Sequence, residues 1–371
     1  MKRDSLAAVG AWGVPKKPFG ICFEIVRFDV MLIQMKYGIF ILCLAQSAYS
    51  ADIVSDVVYE SPGCTDPTLN IYLPESGLLS GTPTYLFIHG GGWASGDKAQ
   101  NDELHVALAD AGYAVVSCNY TLSSAKTASY PQAIHDTKAV VKWIREDGAE
   151  YGLSPTIIGG GGSAGGHLTE MLLTTAGVGM FEPLPPPVGG YRINGAIPFW
   201  GLSDFVMQIE HFGFNLMFMW FFGEPYNPKT APLYQEGSPI NYADASDPPA
   251  HFVHGLSDPI HAWQQSENIH LLLGTFGVYS TTEYFNGGHG WNAYKQVADP
   301  TATVTMHIPL LLQADRTADI NRDGLVNTSD ILELISAWGN CPDLPVDCPA
   351  DIDANGIVNA TDLLTIIENW G

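Results

Sequence analysis

Apolar and polar residues follow two different periodicities between Ala51 and Gln313. Short apolar runs bounded by glycine or polar residues predict buried strands, and they lie at residues 69–73, 84–88, 113–118, 156–158, 252–253 and 282–285. Residues 133–145 instead place their apolar side chains at helical spacing. Strands that are apolar on both faces and alternate with helices predict an α/β domain, in which a mostly parallel central sheet is flanked by helices.

The pattern breaks between Trp200 and His251, where a densely aromatic stretch precedes proline- and asparagine-rich sequence. This segment is typical of an insertion over the sheet. Its aromatic side chains are too many for an ordinary surface loop; they are Phe212, Phe214, Phe218, Trp220, Phe221 and Phe222. They either cap the core or form a substrate wall, and the sequence leaves both interpretations open.

The first fifty residues are typical of a leader. Lys36 precedes a short apolar run at residues 37–45, and small residues at 48–50 precede Ala51. A basic residue, an apolar stretch too short to span a bilayer and small residues at the cleavage offsets predict a secretory signal peptide. Residues 1–50 are therefore not expected to be part of the folded domain, and residues 1–30 are expected to precede the true start of translation. The mature protein is expected to be secreted or associated with the cell surface, with no membrane span.

The composition agrees with an extracellular protein. The chain has 39 acidic and 16 basic residues, a formal net charge of −23, which argues against nucleic acid as a partner. Outside the leader four cysteines permit two disulfides in an oxidising compartment. Cys341 and Cys348 enclose a short loop and are the predicted pair. Whether Cys64 pairs with Cys118 stays open, since Cys118 lies in an apolar run and suits a buried thiol equally well.

The last residues of the chain are an internal repeat with a period of 32 residues, from Trp338 to Trp370. They divide the mature chain into a domain at residues 51–313 and a second, all-α domain at residues 314–371. In each repeat, oxygen-bearing side chains occupy positions 1, 3, 5, 9 and 12 of a calcium loop, and position 7 offers a backbone carbonyl. The candidate ligands are Asp319, Asn321, Asp323, Leu325, Asn327 and Asp330 in the first loop, and Asp351, Asp353, Asn355, Ile357, Asn359 and Asp362 in the second. Two structural Ca²⁺ ions are expected, although aspartate replaces the usual glutamate at position 12.

The motif G-x-S-x-G at residues 161–165 lies between a predicted strand and a predicted helix. A serine on such a turn exposes its hydroxyl at the positive end of the helix, which predicts Ser163 as a nucleophile. The glycines at 159–162 also suit a phosphate-binding loop, but no G-K-[ST] follows them. A second motif, His89 followed by Gly90, Gly91 and Gly92, follows another predicted strand. Glycines there let backbone N–H groups point at an oxyanion.

Chain order identifies the base and its partner, because hydrolases with this turn place the serine first, then the acid, then the histidine. Asp258 and His289 each follow a predicted strand, and the carboxyl ends of parallel strands form the ligand edge of such a sheet. His167, His254 and His261 compete for the role of base. His167 falls in the helix after the serine, and the other two flank Asp258 instead of occupying a later loop.

Residues 51–313 resemble the esterase and lipase group of α/β-hydrolases with an HGGG oxyanion motif, particularly secreted carboxylesterases related to feruloyl and acetylxylan esterases. The resemblance implies an oxyanion hole formed by the N–H groups of Gly91, Gly92 and Ala164. Two departures stand out. The strand before Ser163 ends in glycines where the family has bulky apolar residues, which is expected to loosen the turn. No large N-terminal cap is present, so the aromatic insertion is expected to shape the pocket.

The duplicated loop and helix at the C-terminus resemble a type I dockerin, which implies a cohesin-like partner. The insertion that carries Cys341 and Cys348 departs from the commonest dockerins. The sequence therefore predicts a secreted serine carboxylesterase that needs no catalytic cofactor and acts on small esters or acylated carbohydrates. Two alternatives remain: a serine peptidase or lipase on the same fold, and a catalytically silent hydrolase-like binding module.

Overall fold

The computed structural model describes residues 29–35, 38–44, 51–213, 216–315, 318, 320–321, 326–342, 346, 348–353, 355–368 and 370. It divides the chain into two units, Met1–Tyr49 and Ser50–Gly371. The first unit contains an antiparallel hairpin of strands Asp29–Met35 (β1) and Gly38–Leu44 (β2). The predicted signal segment overlaps β2, and its cleavage region at 48–50 lies outside the described residues.

An eight-stranded sheet forms the centre of the second unit. Its strands, in chain order, are Asp52–Val58 (β3), Thr68–Leu73 (β4), Thr84–Ile88 (β5), Ala114–Cys118 (β6), Ile157–Gly162 (β7), Gly195–Phe199 (β8), Ala250–Gly255 (β9) and Ser280–Phe285 (β10). Their order across the sheet is β10-β9-β8-β7-β5-β6-β4-β3. The strands from β10 to β6 are parallel, and β4 pairs antiparallel with both β6 and the edge strand β3. The expected α/β fold with a mostly parallel sheet is confirmed.

Helices connect the strands and cover the sheet on both faces. Those of the hydrolase-like part are Asp102–Asp110 (α1), Gln132–Glu146 (α2), Ala164–Thr174 (α3), Phe205–Phe212 (α4), Leu216–Phe222 (α5), Ala231–Glu236 (α6), Gln264–Thr275 (α7), Trp291–Tyr294 (α8) and Pro300–Ala314 (α9). Side chains along β5 alternate between two cores, which explains its uninterrupted apolar sequence. Leu86 and Ile88 join one core with α2, α3 and α7, whereas Tyr85 and Phe87 join the other with α1, α8 and α9.

The C-terminal part has its own small core. It contains helices Thr328–Ser336 (α10) and Ala360–Glu368 (α11), as the repeat predicted. A short antiparallel pair, Gly339–Asn340 (β11) and Ile357–Val358 (β12), is present in addition, so the expectation of an all-α domain was incomplete. β11 follows α10, and β12 lies inside the second loop. Helical periodicity does not reveal strands this short. Within the described ranges, no helix is long and apolar enough to cross a bilayer.

The cysteines fall into two groups. Cys341 and Cys348 form a disulfide bond, as predicted. Cys64 and Cys118 are free thiols, and Cys118 is fully buried. Burial raises the pKa of both thiols, and that of Cys64 reaches about 11. Both groups therefore remain protonated thiols at neutral pH, and the second disulfide that the sequence permitted is not formed.

Candidate active site and calcium loops

Ser163 occupies the sharp turn between β7 and α3. Its φ of 61° and ψ of −120° are rare for a residue with a side chain, and such strain is concentrated at functional sites. Two backbone hydrogen bonds hold the turn: the N–H of Ser163 donates to the carbonyl of Phe199 at 3.0 Å, and the N–H of His167 donates to the carbonyl of Ser163 at 2.9 Å. A Cβ at Gly165 would lie 2.0 Å from the carbonyl oxygen of Ile88, so only glycine permits this approach.

The glycines of β7 do not leave space beside this turn. All residues of β7 are buried, and the hydroxyl of Tyr85 lies 1.9 Å from the place that a Cβ at Gly160 would take. Likewise, the indole nitrogen of Trp200 would lie 2.9 Å from a Cβ at Gly162. The side chains of Tyr85 and Trp200 thus fill the space beside the glycines of β7. Because this space is filled, the glycines do not loosen the turn at Ser163 as the sequence led us to expect.

The structure brings Ser163, His289 and Asp258 together. The Nε2 atom of His289 lies 2.8 Å from the Oγ of Ser163, and its Nδ1 atom lies 2.6 Å from the Oδ2 of Asp258. The other carboxylate oxygen of Asp258 accepts hydrogen bonds from the N–H groups of Ile260, at 2.8 Å, and His261, at 3.0 Å. Each side chain follows a parallel strand at its carboxyl end, namely β7, β9 and β10.

His254, which the sequence offered as a rival base, contacts Asp258 instead of Ser163. Its Nε2 atom lies 3.5 Å from the Oδ2 of Asp258 and 3.1 Å from the carbonyl oxygen of His261. Its Nδ1 atom is 2.8 Å from the Oγ of Ser266. Burial raises the pKa of the Asp258 carboxyl, but hydrogen bonds from His254 and His289 outweigh that effect and hold the pKa below its usual value. Asp258 therefore remains a carboxylate although its side chain is fully buried.

We expect His254→Asn to lower kcat by about tenfold, roughly the effect of one hydrogen bond to a charged group, with KM little changed. The reason is that Asp258 would lose one of the contacts that orient it. Steady-state kinetics on a short-acyl ester would measure the effect. His251→Asn is the matched control, because His251 lies on the same strand and bonds Thr281, at 2.7 Å. An equal loss in both variants would contradict a positioning role for His254.

The other two rival histidines are also engaged elsewhere. His167 is fully buried, accepts a hydrogen bond from the indole N–H of Trp93 at 3.2 Å, and lies 2.9 Å from the carbonyl oxygen of Gly237. The ring of His261 meets that of His289 nearly edge-on, with centroids 5.0 Å apart. Burial, together with the proximity of His289, lowers the pKa of His261 to about 3. His261 is therefore neutral at neutral pH and adds no charge beside His289.

The glycines after His89 lie directly against the serine turn. A Cβ at Gly90 would lie 2.7 Å from the carbonyl oxygen of Gly162 and 3.5 Å from the Cβ of Ser163. Within the described part of the chain, the N–H groups of Gly91, Gly92 and Ala164 donate to no acceptor. Unengaged N–H groups beside a serine hydroxyl would be available to an oxyanion.

A cavity of about 540 Å³ opens over Ser163 and His289. No aspartate, glutamate, lysine or arginine is found among the described residues that line the cavity. The aromatic insertion contributes Met217 and Phe218 to the cavity lining, and its residues Phe221 and Phe222 are buried in the core. Phe218 is itself part of that core, so the core interpretation is confirmed, and a role as a substrate wall stays a prediction. Phe212 is exposed, Trp220 is partly buried, and Phe214 lies outside the described residues.

Phe218→Leu and Phe222→Leu form a matched pair, because both side chains are buried and only Phe218 lines the cavity. We expect both variants to lower the melting temperature. Only Phe218→Leu should raise the ratio of kcat/KM for a butyrate ester over an acetate ester, by about tenfold, since the wall recedes by roughly one methylene. The same change of acyl preference in Phe222→Leu would show that packing, not pocket shape, sets it.

In the second C-terminal loop, one carboxylate oxygen each from Asp351, Asp353 and Asp362 lie within 4.8 Å of one another. Asp351 and Asp362 are buried. Both oxygens of Asp362 accept backbone N–H groups, from Ile352 at 2.7 Å and Asn359 at 2.8 Å. Three carboxylates this close repel one another unless a cation lies between them.

The remaining predicted ligands are placed as follows. The side-chain oxygens of Asn355 and Asn359 accept backbone N–H groups inside the loop, and the amide of Asn359 donates to the carbonyl of Ile357. In the first loop Asp330 is fully buried and accepts from the N–H groups of Asn321 and Asn327, as Asp362 does in the second. Asp319, Asp323, Gly324 and Leu325 lie outside the described residues.

Two family profiles match the chain. The profile named BD-FAE matches residues 69–273, more than half of the chain, and the dockerin type I domain matches residues 317–370. The probable carboxylic ester hydrolase LipM of Mycobacterium tuberculosis is 32% identical over 198 residues, which are 51% of this chain and 44% of LipM. Esterase LipQ of the same organism is 28% identical over 258 residues, 64% of this chain and 57% of LipQ. The chain spans about half the length of these curated relatives.

A solved structure extends the similarity over the described fold. A truncated form of a carbohydrate esterase from gut microbiota is 26% identical, with a TM-score of 0.59. The similarity covers 66% of this chain and 91% of that one. The fold is thus similar to that of a carbohydrate esterase of known structure.

Proposed function

Because this chain belongs to the BD-FAE family and its C-terminus matches the dockerin type I domain, we propose that it is a secreted serine carboxylic-ester hydrolase. The observation that carries the proposal is the hydrogen-bonded series from Ser163 through His289 to Asp258 at the base of the cavity. The esterases among its relatives support the reaction class, and the uncharged cavity suits a neutral ester.

In the proposed mechanism, His289 Nε2 takes the proton of Ser163 as its Oγ attacks the ester carbonyl carbon. The Nδ1–H of His289 donates to Asp258, which stabilises the imidazolium that forms. His289 then gives the proton to the departing alcohol, leaving an acyl group on Ser163. Water, deprotonated by His289, attacks the acyl group, and the carboxylic acid leaves as Ser163 regains its proton.

The negative charge that develops on the carbonyl oxygen needs donors that are already in place. We assign that role to the N–H groups of Gly91, Gly92 and Ala164, which have no other acceptor in the described structure. Ala164 is the first residue of α3, so its N–H lies at the positive end of the helix. Each such donor is worth roughly 10²- to 10³-fold in kcat.

A panel of substrates distinguishes the proposed esterase from the three alternatives, which are a lipase, a peptidase and a catalytically silent binding module. The panel comprises short-acyl esters, long-chain lipids, peptides, and acetylated and feruloylated oligosaccharides. We expect turnover of the short-acyl and acylated carbohydrate esters. Preference for long-chain lipids or for peptides would replace the esterase proposal, and absence of both turnover and fluorophosphonate labelling would establish the silent module.

We propose that the C-terminal loops bind two structural Ca²⁺ ions. The donor set fits, because carboxylate, amide and carbonyl oxygens are the ligands that Ca²⁺ prefers and the acidic side chains of the second loop converge. Asp351, Asp353, Asn355, Ile357, Asn359 and Asp362 would hold one ion, and the equivalent residues of the first loop the other. A bound ion would neutralise the converging carboxylates and so stabilise the loops.

We further propose that the C-terminal domain binds a cohesin-like protein outside the cell. Three exposed apolar side chains on or after α10, Leu332, Ile335 and Trp338, recur one repeat later as Leu364, Ile367 and Trp370. Exposed apolar residues at repeated positions are typical of a protein-binding surface. Secretion follows from the predicted leader and from the extracellular setting of such a partner.

A further inference from the structure

The loop that carries Asp258 is partly exposed. Residues 258–262, called here the acid loop, follow β9, and Pro259 and Ile260 within it are exposed. The N–H groups of Ile260 and His261 nevertheless donate to the Oδ1 of Asp258. Because the Oδ2 of the same carboxylate contacts His289, the orientation of these backbone groups decides where that contact lies. An exposed segment keeps such an orientation only when neighbouring residues bond its peptides.

Gln208 of α4 bonds the two peptides on either side of His261. Its Nε2 atom donates to the carbonyl of Ile260 at 3.1 Å, and its Oε1 atom accepts from the N–H of Ala262 at 3.1 Å. The Ile260 carbonyl belongs to the same peptide as the His261 N–H, which donates to Asp258. One buried amide thus holds both peptides against rotation.

These bonds form one continuous series from α4 to the serine. It starts at the Nε2 of Gln208 and passes through the Ile260–His261 peptide to the Oδ1 of Asp258. From the Oδ2 of Asp258 it continues through His289 to the Oγ of Ser163. Consecutive hydrogen bonds polarise and so strengthen one another. Loss of the first bond is therefore expected to weaken the contact between Asp258 and His289.

The orientation of the Gln208 amide is itself set by a second buried amide. Gln265 of α7 is fully buried, and its Nε2 donates to the Oε1 of Gln208 at 3.3 Å and to the carbonyl of Asp204 at 3.0 Å. The Oε1 of Gln265 accepts the N–H groups of Ser203, at 3.0 Å, and Asp204, at 2.8 Å. Buried polar groups satisfied in this way specify a single arrangement. Gln265 therefore holds the start of α4, and Gln208 keeps its nitrogen toward the acid loop carbonyl.

We propose that Gln208 is a positioning residue for ester hydrolysis, which holds the acid loop and so keeps the Asp258 carboxylate against His289. This inference rests on the proposed function and assigns the insertion a second task, since α4 is its first helix. Without the amide, the Ile260–His261 peptide can rotate, and Asp258 supports the imidazolium less well as Ser163 reacts. Gln208 lies outside the described lining of the cavity, so the loss is expected in kcat and not in KM.

Gln208→Met tests the inference on the full chain, because methionine has a similar length and replaces neither hydrogen bond. We expect kcat for a short-acyl ester to fall by about tenfold, with KM within about twofold. The Nδ1–H resonance of His289 in the proton NMR spectrum should move upfield, since a weaker hydrogen bond shields its proton.

Gln265→Met is the matched control, because it removes a fully buried amide that bonds Ser203, Asp204 and Gln208 but not the acid loop. It should lower the melting temperature at least as much as Gln208→Met does. We expect its kcat to stay within about threefold of the wild type and the His289 resonance to stay in place.

Gln208→Glu is the conservative variant. A protonated carboxyl group offers one donor and one acceptor, as the amide does, whereas a carboxylate offers acceptors alone. Burial and the nearby carboxylates of Asp204 and Asp258 raise the pKa of a carboxyl group at this position. The kcat of this variant relative to the wild type should therefore be close to one at acid pH, and should fall as the pH rises and the new carboxyl group ionises.

The outcomes separate this inference from the proposed function. If the wild type hydrolyses no ester, both fail. If the wild type is active and Gln208→Met keeps its kcat and its His289 resonance, the positioning role alone is overturned. An equal loss of kcat in Gln265→Met would show that the packing of α4 sets the rate, which overturns it as well. Should Gln208→Met fail to fold, Gln208→Glu decides, and a kcat ratio to the wild type that does not change with pH overturns the inference.

Discussion

Ser163→Ala is expected to lower kcat by roughly 10⁴- to 10⁶-fold and to leave the melting temperature unchanged. Without the hydroxyl no acyl-enzyme forms, and only binding and the oxyanion donors remain. The fold should persist because alanine retains the Cβ, so the turn at φ 61° gains no new strain. The hydrogen bonds that hold this turn use backbone atoms alone. Initial rates on a short-acyl ester and thermal unfolding would measure the two effects.

Two controls sharpen this experiment. Ser246→Ala removes an exposed hydroxyl that bonds Asp244, remote from the cavity, and should be silent. Combining Ser163→Ala with His289→Ala should cost little beyond either change alone, because the groups act as a unit. Substantial activity in Ser163→Ala would mean that another residue is the nucleophile and that the geometry around His289 serves something else.

The C-terminal domain is expected to fold with calcium. A fragment of residues 315–371 should be largely unfolded in chelator and should gain helical circular dichroism when Ca²⁺ is added. So short a segment buries too little apolar surface to be stable alone, and its converging carboxylates oppose folding without a cation. Asp330→Ala and Asp362→Ala should each weaken the response, since both side chains are buried in their loops. Far-ultraviolet circular dichroism during a Ca²⁺ titration would measure it.

Glu368→Ala supplies the comparison, because it removes a carboxylate from the end of α11 and not from either loop. It should leave the calcium response intact. Ester hydrolysis by residues 51–313 should be insensitive to chelator. An identical spectrum with and without Ca²⁺ would remove the calcium proposal while leaving the esterase proposal untouched.

The fold and the convergence of three side chains at one edge of the sheet were predictable because the signals are local. Each of Ser163, Asp258 and His289 follows a short apolar run, and a parallel sheet brings the carboxyl ends of its strands to one edge. The Cys341–Cys348 disulfide was predictable from the short loop between the two residues. The bounds of the strands were predicted less accurately. Periodicity ended the run before the serine at residue 158, whereas β7 continues through its glycines to Gly162.

Other parts of the site depend on tertiary contacts that no spacing reveals. His254 follows the predicted apolar run at residues 252–253, so the sequence admitted it only as a rival base, whereas in the structure it lies inside β9. Its contact with the Asp258 carboxylate appears once the loop folds back. Aromatic density alone does not divide the insertion, in which Met217 and Phe218 line the cavity while Phe218, Phe221 and Phe222 pack in the core.

The contact between Tyr85 and Gly160 constrains how this sequence can change over time. Since the tyrosine hydroxyl lies 1.9 Å from the place of a Cβ at position 160, a side chain there requires the Tyr85 ring to move or position 85 to become smaller. Positions 85 and 160, which lie 75 residues apart on adjacent strands, are therefore expected to change together. We expect homologues with a larger residue at position 160 to carry a smaller residue at position 85.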